Sequence, residues 1–167
     1  MTLVYIGLGS NLSGANLNPS QHLEDALKSI NNNPDIYNLS KSSFYRTKPI
    51  GPQDQPDYIN AVATFETILS PIALLDYLQH LESSHGRVRT ERWGARTLDL
   101  DILFYGDLSI NSDRLTLPHP RLGERAFVLA PLLEINPSFR FENGISAAEL
   151  LANCGDQGIV KLNQKSE

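Results

Sequence analysis

The chain has 167 residues, of which 41% are hydrophobic, and a formal net charge of −5, so we expect one domain over residues 1–167 with one sizeable core. The acidic balance argues against general attraction to nucleic acid or anionic membranes, and no apolar run approaches the roughly 20 residues of a membrane span. The N-terminus lacks the basic flank of a signal peptide and the one cysteine, Cys154, excludes an internal disulfide, which together indicate a cytoplasmic protein whose cysteine is structural.

The first half of the chain alternates strand and helix patterns. The apolar segment "TLVYIGL" predicts a central strand, and a Gly/Asn/Ser loop follows it. Ser20 is predicted to cap a helix that ends at "NNNP" and buries Leu23, Ala26, Leu27 and Ile30. The segments "LSKSSFYR" and "YINAVATFETI" predict two further strands, joined by a turn-rich connection over residues 47–57.

In the second half, Ser70 and Pro71 predict the start of a helix that ends at Gly86 and buries Leu74, Leu75, Leu78 and Leu81. A strand over "LDLDILFY" follows, and "ERAFVLAPLLEI" and "SAAELLANC" predict short C-terminal helices. The order β-α-β-β-α-β predicts an α+β fold, with a ferredoxin-like antiparallel sheet, helices on one face and additional short C-terminal helices.

Two aspartates interrupt the apolar pattern of the last predicted strand. Asp99 and Asp101 are two residues apart, so their side chains share one face, with Cβ atoms about 7 Å apart. Carboxylates this close repel each other unless a cation lies between them. An ordinary surface strand with a polar face would show the same alternation, so the pair alone does not decide between the two interpretations.

A cationic segment directly precedes the aspartates. "GRVRTERWGAR" holds Arg87, Arg89, Arg92 and Arg96, whose planar guanidinium groups match phosphate oxygens. Glycines at 86 and 94 would let the segment close over a ligand, although the arginines could instead form ion pairs with Glu82 and Glu91 on a solvated loop. Because Mg²⁺ is typically held by one or two carboxylates together with substrate phosphates, the combination favours a magnesium-polyphosphate site.

Missing motifs and a second pair of side chains bear on what the site binds. The chain has no G-x-x-x-x-G-K-[ST] loop, and "GLGSNLSG" lacks the G-x-G-x-x-G spacing of a dinucleotide site. Tyr58 and Asn60 share one face of a predicted strand, where a flat heterocycle could stack and form hydrogen bonds. A surface tyrosine and asparagine on an alternating strand would look the same.

The segments "SSFYRT", "GPQDQPDYINA", "GRVRTERWGARTLDLDIL" and "LPHPRLGERAFVLAPLLEI" together resemble the 6-hydroxymethyl-7,8-dihydropterin pyrophosphokinases of folate biosynthesis. The resemblance covers nearly the whole chain. It implies transfer of pyrophosphate from ATP to the hydroxymethyl group of 6-hydroxymethyl-7,8-dihydropterin, with release of AMP, two Mg²⁺ ions and a ferredoxin-like fold.

The resemblance also implies residue roles. Asp99 and Asp101 match the metal-binding aspartates, and Arg87 and Arg96 match arginines that contact the phosphates. The positions matching nucleotide contacts or the mobile arginine loop are Glu82, Arg89, Arg92, Trp93, Arg114, Thr116, His119 and Arg125. The positions matching the pterin site are Thr47, Ile50, Tyr58, Asn60 and Phe127. The implied partners are the two small-molecule substrates, and we expect a monomer.

Two other classes of function stay open at this point. A metal-dependent nucleotidyltransferase or phosphodiesterase could use the same carboxylates, and a non-catalytic nucleotide- or RNA-binding sheet could share the topology. The acidic charge and the absence of an aromatic RNA-binding run argue against the last.

Overall fold

The computed structural model describes residues 1–11, 17–48, 56–86, 97–155 and 157–162. The strands in this part of the chain are β1 (Thr2–Ser10), β2 (Ile36–Lys41), β3 (Tyr45–Thr47), β4 (Tyr58–Thr67), β5 (Asp99–Tyr105), β6 (Ile110–Asn111), β7 (Thr116–Leu117) and β8 (Val160–Lys161). The helices are α1 (Pro19–Asn31), α2 (Pro71–Ser84), α3 (Ala126–Ile135) and α4 (Ala147–Asn153), with a 3₁₀ turn at Leu122–Glu124.

An antiparallel sheet forms the centre of the fold. Its order is β5-β1-β4-β3-β8, with β2 also paired to β4, while β6 and β7 form a separate hairpin. The predicted α+β class with an antiparallel sheet is therefore confirmed. β1 occupies an inner position between β4 and β5, as its continuously apolar sequence predicts.

The prediction of one strand over residues 39–46 is wrong. β2 ends at Lys41 and β3 begins at Tyr45, and both pair with β4. Between them, the Val62 N–H donates to the Ser42 side-chain Oγ at 3.0 Å, while the Ser42 N–H donates to the Val62 carbonyl at 2.8 Å. The serine side chain thus replaces one backbone acceptor of the ladder, which breaks the strand.

Helices cover both faces of the sheet, so the expectation of helices on one face holds only for α1 and α2. These two helices pack against Val4, Ile6 and Leu8 of β1. α3 and α4 pack on the opposite face, where Tyr5, Val62 and Leu103 form a second core. Among the described helices, none is long and apolar enough to cross a membrane.

The helix starts follow local capping chemistry. α1 begins at Pro19 and is capped by Asn18, two residues before the predicted cap at Ser20, because Asn18 and Gln21 form a reciprocal capping box. Ser70 caps α2 as predicted, by accepting a hydrogen bond from the Ala73 N–H. The four predicted leucines of α2 are buried, as are the four predicted apolar residues of α1.

A buried polar cluster joins α1 to the end of α2. The Nδ1 atoms of His22 and His85 lie 2.6 Å apart, so that one ring donates and the other accepts. His85 Nε2 lies 3.1 Å from the Asp25 carboxylate. His85 is the C-terminal cap of α2, so this cluster fixes the point where the helix leads into residues 86–97.

Candidate active site

The two aspartates lie on the face of the sheet that carries α3. Asp101 is opposite Gly7 of β1, and Asp99 is opposite Gly9. Both carboxylate side chains are half-buried, whereas Leu100 and Ile102 between and after them face the core under α1 and α2. The predicted alternation of β5 is thus confirmed, with the two carboxylates side by side on one surface.

Glu82 holds the backbone between the aspartates. Its side chain is only 4% exposed, and its Oε2 accepts a hydrogen bond from the Leu100 N–H at 2.8 Å. A buried carboxylate that accepts a backbone hydrogen bond ties the last turns of α2 to β5. The geometry thus gives Glu82 a part in positioning Asp99 and Asp101, and its contact with nucleotide stays a prediction.

His119 lies beside a β-bulge in β5, the strand that carries the two aspartates. In β5, Phe104 is opposite Tyr5 and Ile102 is opposite Ile6, which leaves Leu103 as the extra residue. The Leu103 carbonyl accepts a hydrogen bond from the His119 N–H at 3.1 Å. Burial lowers the pKa of His119, the nearby Arg125 lowers it further, and Asp99 acts in the opposite direction. The lowered pKa favours the uncharged imidazole, which keeps one ring N–H able to donate a hydrogen bond.

Arg125 interacts with the two aspartates and with the Phe127 ring. Burial lowers its pKa, and the opposing influence of Asp101 and Asp99 places the guanidinium in the field of both carboxylates. An arginine nevertheless remains protonated. Its Cζ atom lies 5.5 Å from the centroid of the Phe127 ring, so the same guanidinium also lies over that ring.

The polar residues predicted to bind a heterocycle lie on β3 and β4. The Asn60 Nδ2 donates to Thr47 Oγ1 at 2.6 Å, and both side chains are buried. Tyr58 is half-buried and lies on the same face, because its ring carbon Cδ1 would be 3.6 Å from a Cβ atom placed on Gly9. The two strands therefore supply an amide, a hydroxyl and an aromatic ring to one area.

Gly9 of β1 lies between the aspartates of β5 and the site residues of β4. It is opposite Asp99 on one side and Asn60 on the other, so the three residues form one row across β5, β1 and β4. With neighbouring strands about 4.8 Å apart, the Asp99 and Asn60 Cα atoms lie about 10 Å apart. A Cβ atom on Gly9 would approach Asn60 Oδ1 to 2.8 Å, which is too close for two atoms that are not bonded.

The site residues fall into two sets. We call Asp99, Asp101, His119 and Arg125 the charged side, and Thr47, Tyr58, Asn60 and Phe127 the neutral side.

Two predicted residues lie on the β6–β7 hairpin. Arg114 Nη2 lies 2.6 Å from Asp76 Oδ1 and 3.2 Å from Gln79 Oε1, so the structure holds this guanidinium against α2. Thr116 is exposed on β7. Surface ion pairs of this kind are weak, so a polyphosphate could compete for Arg114, whose nucleotide contact stays a prediction.

Several predicted site residues lie outside the described part of the chain. They are Ile50, Arg87, Arg89, Arg92, Trp93 and Arg96. The expected closure of the arginine segment over a ligand concerns the same residues.

The charged side fits a magnesium ion held jointly with phosphates. Across the described ranges no group of three or more His, Cys, Asp or Glu residues could hold a metal by itself. Two carboxylates on one face supply hard oxygen ligands but too few for a complete site, which matches the way Mg²⁺ shares its ligands between protein and polyphosphate.

Sequence reasoning missed the part played by the glycines of β1. The signal was present, because Gly7 and Gly9 are two residues apart in an otherwise apolar strand and therefore bare one face of it. It could not be interpreted without the pairing, which shows that the aspartates and Asn60 flank that face.

Comparisons with other proteins identify the family of the chain. Residues 5–137 match the family model described as 7,8-dihydro-6-hydroxymethylpterin-pyrophosphokinase (HPPK). The chain is 49% identical over 163 residues to the 2-amino-4-hydroxy-6-hydroxymethyldihydropteridine pyrophosphokinase of Haemophilus influenzae, covering 98% of this chain and 99% of that protein. Its identity to the protein of the same name from Pseudomonas aeruginosa is 43% over 159 residues, which covers 95% and 96% of the two chains.

A solved structure described as HPPK-DHPS in complex with substrates shares the fold, with a TM-score of 0.68 at 13% identity. The similarity covers 91% of this chain and 45% of that one, so the present chain spans less than half of that protein. The family match extends over most of the described sheet and both sides of the site, and the two bacterial relatives are similar over almost their full length. The chain therefore belongs to the 7,8-dihydro-6-hydroxymethylpterin-pyrophosphokinase family.

Proposed function

We propose that this chain transfers the pyrophosphoryl group of ATP to the hydroxymethyl group of 6-hydroxymethyl-7,8-dihydropterin, giving AMP and the pterin diphosphate. The observation that carries the proposal is the row Asp99–Gly9–Asn60, which sets a carboxylate pair and an amide on one face of the sheet. A reaction between a charged polyphosphate and a neutral heterocycle needs both kinds of surface side by side.

In the reaction, the hydroxymethyl oxygen attacks the β-phosphorus of ATP and the bond from that phosphorus to the AMP oxygen breaks. The hydroxyl proton is released, and AMP departs on the side opposite to the attack. The chain's part is to hold both substrates in line and to stabilise the negative charge that spreads over the phosphoryl oxygens.

The charged side performs this stabilisation. The Arg125 guanidinium provides a positive charge in the field of the carboxylates, and a ring N–H of His119 donates a hydrogen bond to a phosphate oxygen. Asp99 and Asp101 would hold Mg²⁺, and the ion would neutralise charge on the polyphosphate oxygens. Glu82 keeps the two aspartates in register through the Leu100 N–H.

The neutral side recognises the pterin. A pterin ring is flat and has donors and acceptors along its edge, so it stacks on aromatic rings while an amide and a hydroxyl bind that edge. Tyr58 and Phe127 provide the rings, and Asn60 and Thr47 provide the polar groups. The hydrogen bond between Asn60 and Thr47 fixes the orientation of the Asn60 amide before any ligand arrives.

We also propose that the sheet is a variant of the ferredoxin-like arrangement, in which β2 and β3 together take the place of one strand. The order β5-β1-β4, followed by β2 and β3 along the far edge of β4, supports this assignment. The two cores share β1, β4 and β5, which supports one catalytic domain.

A product assay tests the function. The chain is incubated with ATP, Mg²⁺ and 6-hydroxymethyl-7,8-dihydropterin, and the products are separated by chromatography. The proposal requires AMP and pterin diphosphate in equal amounts, formed only when the pterin and Mg²⁺ are both present. AMP formed without pterin would indicate a phosphodiesterase, and release of inorganic pyrophosphate with a nucleotidyl adduct would indicate a nucleotidyltransferase.

A further inference from the structure

Gln157, near the C-terminus, binds the backbone on both sides of Arg125. Its Oε1 accepts a hydrogen bond from the Ala126 N–H at 3.0 Å, and its Nε2 donates to the Glu124 carbonyl at 3.0 Å. A third, longer contact of 3.4 Å joins Nε2 to the Cys154 carbonyl. A glutamine side chain has one acceptor and one donor end, and here each end meets the complementary backbone group.

These hydrogen bonds replace a local helix cap. Arg125 occupies the cap position of α3 with an extended backbone and makes no side-chain capping bond. The first N–H of α3 is instead satisfied by Gln157, which lies 31 residues further along the chain. The peptide groups that set the direction of the Arg125 side chain are therefore fixed by a residue remote in sequence.

The residues that follow Gln157 pair with β3, the strand that carries Thr47 of the neutral side. Gly158 has a φ of +68°, and a Cβ atom there would lie 3.1 Å from side-chain carbons of Lys48. β8 then pairs with β3, with Lys161 opposite Tyr45, and the Leu162 N–H donates to the Phe44 carbonyl at 2.8 Å. Residues 157–162 thus connect the start of α3 to the strand that ends at Thr47.

The other end of α3 is also tied to this strand. Glu134 accepts hydrogen bonds from Tyr45 Oη at 2.8 Å and from the Ser43 N–H at 2.9 Å. With Glu134 near its C-terminus and Gln157 at its N-terminus, α3 is held at both ends relative to β3. Rotation or sliding of α3 would displace Arg125 and Phe127 from the residues of β3 and β4.

We infer that Gln157 is a positioning residue for the reaction. By holding the Glu124 carbonyl and the Ala126 N–H, it fixes the positions of Arg125 on the charged side and Phe127 on the neutral side of the site. This inference rests on the proposed function, because it assigns to Arg125 and Phe127 the binding of nucleotide and pterin. Gln157 itself touches neither substrate in this assignment.

The test replaces Gln157 by Met, which keeps the length of the side chain and removes its hydrogen bonds. Gln21→Met is the matched control, because Gln21 also supplies a capping hydrogen bond to a helix start, on α1 and in an exposed position. We expect Gln157→Met to lower kcat/KM about 10-fold, through a raised KM for the pterin and a lowered kcat, the scale set by losing a net hydrogen-bond contribution. Gln157→Glu, which keeps the acceptor for Ala126 and loses the donor, should show an intermediate loss.

Thermal unfolding separates positioning from plain stability. Both Met variants should lose similar stability, and only Gln157→Met should change kcat/KM. Equal steady-state parameters in the two variants would overturn the inference and leave Gln157 as an ordinary cap.

A second readout does not depend on the proposed activity. Amide hydrogen exchange at Ala126 should be faster in Gln157→Met than in the unaltered chain, and unchanged in Gln21→Met. If the unaltered chain forms no pterin diphosphate, the proposed function fails on that result alone. Unchanged exchange at Ala126 in Gln157→Met would overturn the positioning inference whatever the assay shows.

Discussion

Asp99 on the charged side and Asn60 on the neutral side have Cα atoms about 10 Å apart on one sheet face, and the two sides differ in how their polar groups are held. On the neutral side, Asn60 and Thr47 are buried and hydrogen-bonded to each other, so the arrangement contributes to the stability of the fold. On the charged side, two half-buried carboxylates share one face of β5, where like charges repel each other unless a cation lies beside them.

Because the polar groups are held differently on the two sides, substitutions on the two sides should affect activity and stability differently. Replacing either aspartate of the charged side by asparagine should reduce turnover while leaving the fold intact or stabilising it. Replacing a residue of the neutral side should affect pterin affinity and stability together.

The largest effect is expected for Asp99→Asn and Asp101→Asn. Each change removes a carboxylate ligand and keeps the shape of the side chain, so turnover should fall by about 10³-fold or more, since a bound metal supplies several kcal/mol of charge stabilisation. The unfolding temperature should hold or rise. The product assay and thermal unfolding measure the two effects.

Asp107→Asn is the control for these variants, because Asp107 is an exposed aspartate just beyond the end of β5. It should leave both measurements unchanged. Near-normal turnover of either Asp99→Asn or Asp101→Asn at saturating Mg²⁺ would remove the aspartates from the metal site.

Gly9→Ala tests the boundary between the two sides. The added Cβ would approach Asn60 Oδ1 to 2.8 Å, so the Asn60 amide must shift, at a cost of about 1–3 kcal/mol in pterin binding. Calorimetry with pterin measures the loss.

Gly7→Ala is the matched control on the same face of β1. A Cβ there would meet the Leu103 side chain at 3.6 Å, an ordinary van der Waals contact. Equal pterin affinities in Gly7→Ala and Gly9→Ala would mean that the close approach at Asn60 does not matter for binding.

Tyr58→Ala and Phe127→Ala should each weaken pterin binding by roughly 1–3 kcal/mol and leave ATP binding almost unchanged, judging from aromatic stacking on bases. Calorimetry with each ligand separately is the measurement. Equal losses for both ligands would assign these rings to the packing of the protein and not to a pterin site.

The smallest effect is expected for Tyr45→Phe, at the far end of α3. Burial raises the pKa of Glu134, but hydrogen bonds from Tyr45 and Ser43 outweigh burial, so the net shift is downward. A lowered carboxyl pKa contributes stability above its ordinary value of about 4.5 that is lost as the pH falls through the folded-state value. Losing the Tyr45 bond should cost about 1 kcal/mol at neutral pH.

Urea unfolding of Tyr45→Phe at pH 7 and at pH 3 measures this contribution. The difference in stability between the variant and the unaltered chain should shrink at the lower pH. A difference that is the same at both pH values would show that protonation of Glu134 does not change what the Tyr45 hydrogen bond contributes to stability.

Local patterns predicted the elements that build the charged side. The alternation in "LDLDILFY" placed Asp99 and Asp101 on one face of β5, and helical spacing identified the buried residues of α1 and α2. These features depend on periodicity within one element, which the sequence carries directly.

Features that join distant segments could not be predicted in this way. The His22–His85 contact spans 63 residues, and the break between β2 and β3 depends on the hydrogen bond that the Val62 N–H donates to Ser42 Oγ. Gln157 and Ala126 are likewise joined only by the fold. In each case a side chain satisfies a group on another element, and no local spacing encodes the partner.

We propose that the charged side binds nucleotide through Mg²⁺ while the neutral side binds pterin independently of it. Calorimetric titration of a non-hydrolysable ATP analogue, with and without Mg²⁺, into the unaltered chain and into Asp101→Asn tests it most directly. We expect Mg²⁺ to tighten binding of the analogue to the unaltered chain and to have little effect on Asp101→Asn, whose pterin affinity stays normal. An equal gain from Mg²⁺ in both proteins would mean that the Asp101 carboxylate does not hold the ion.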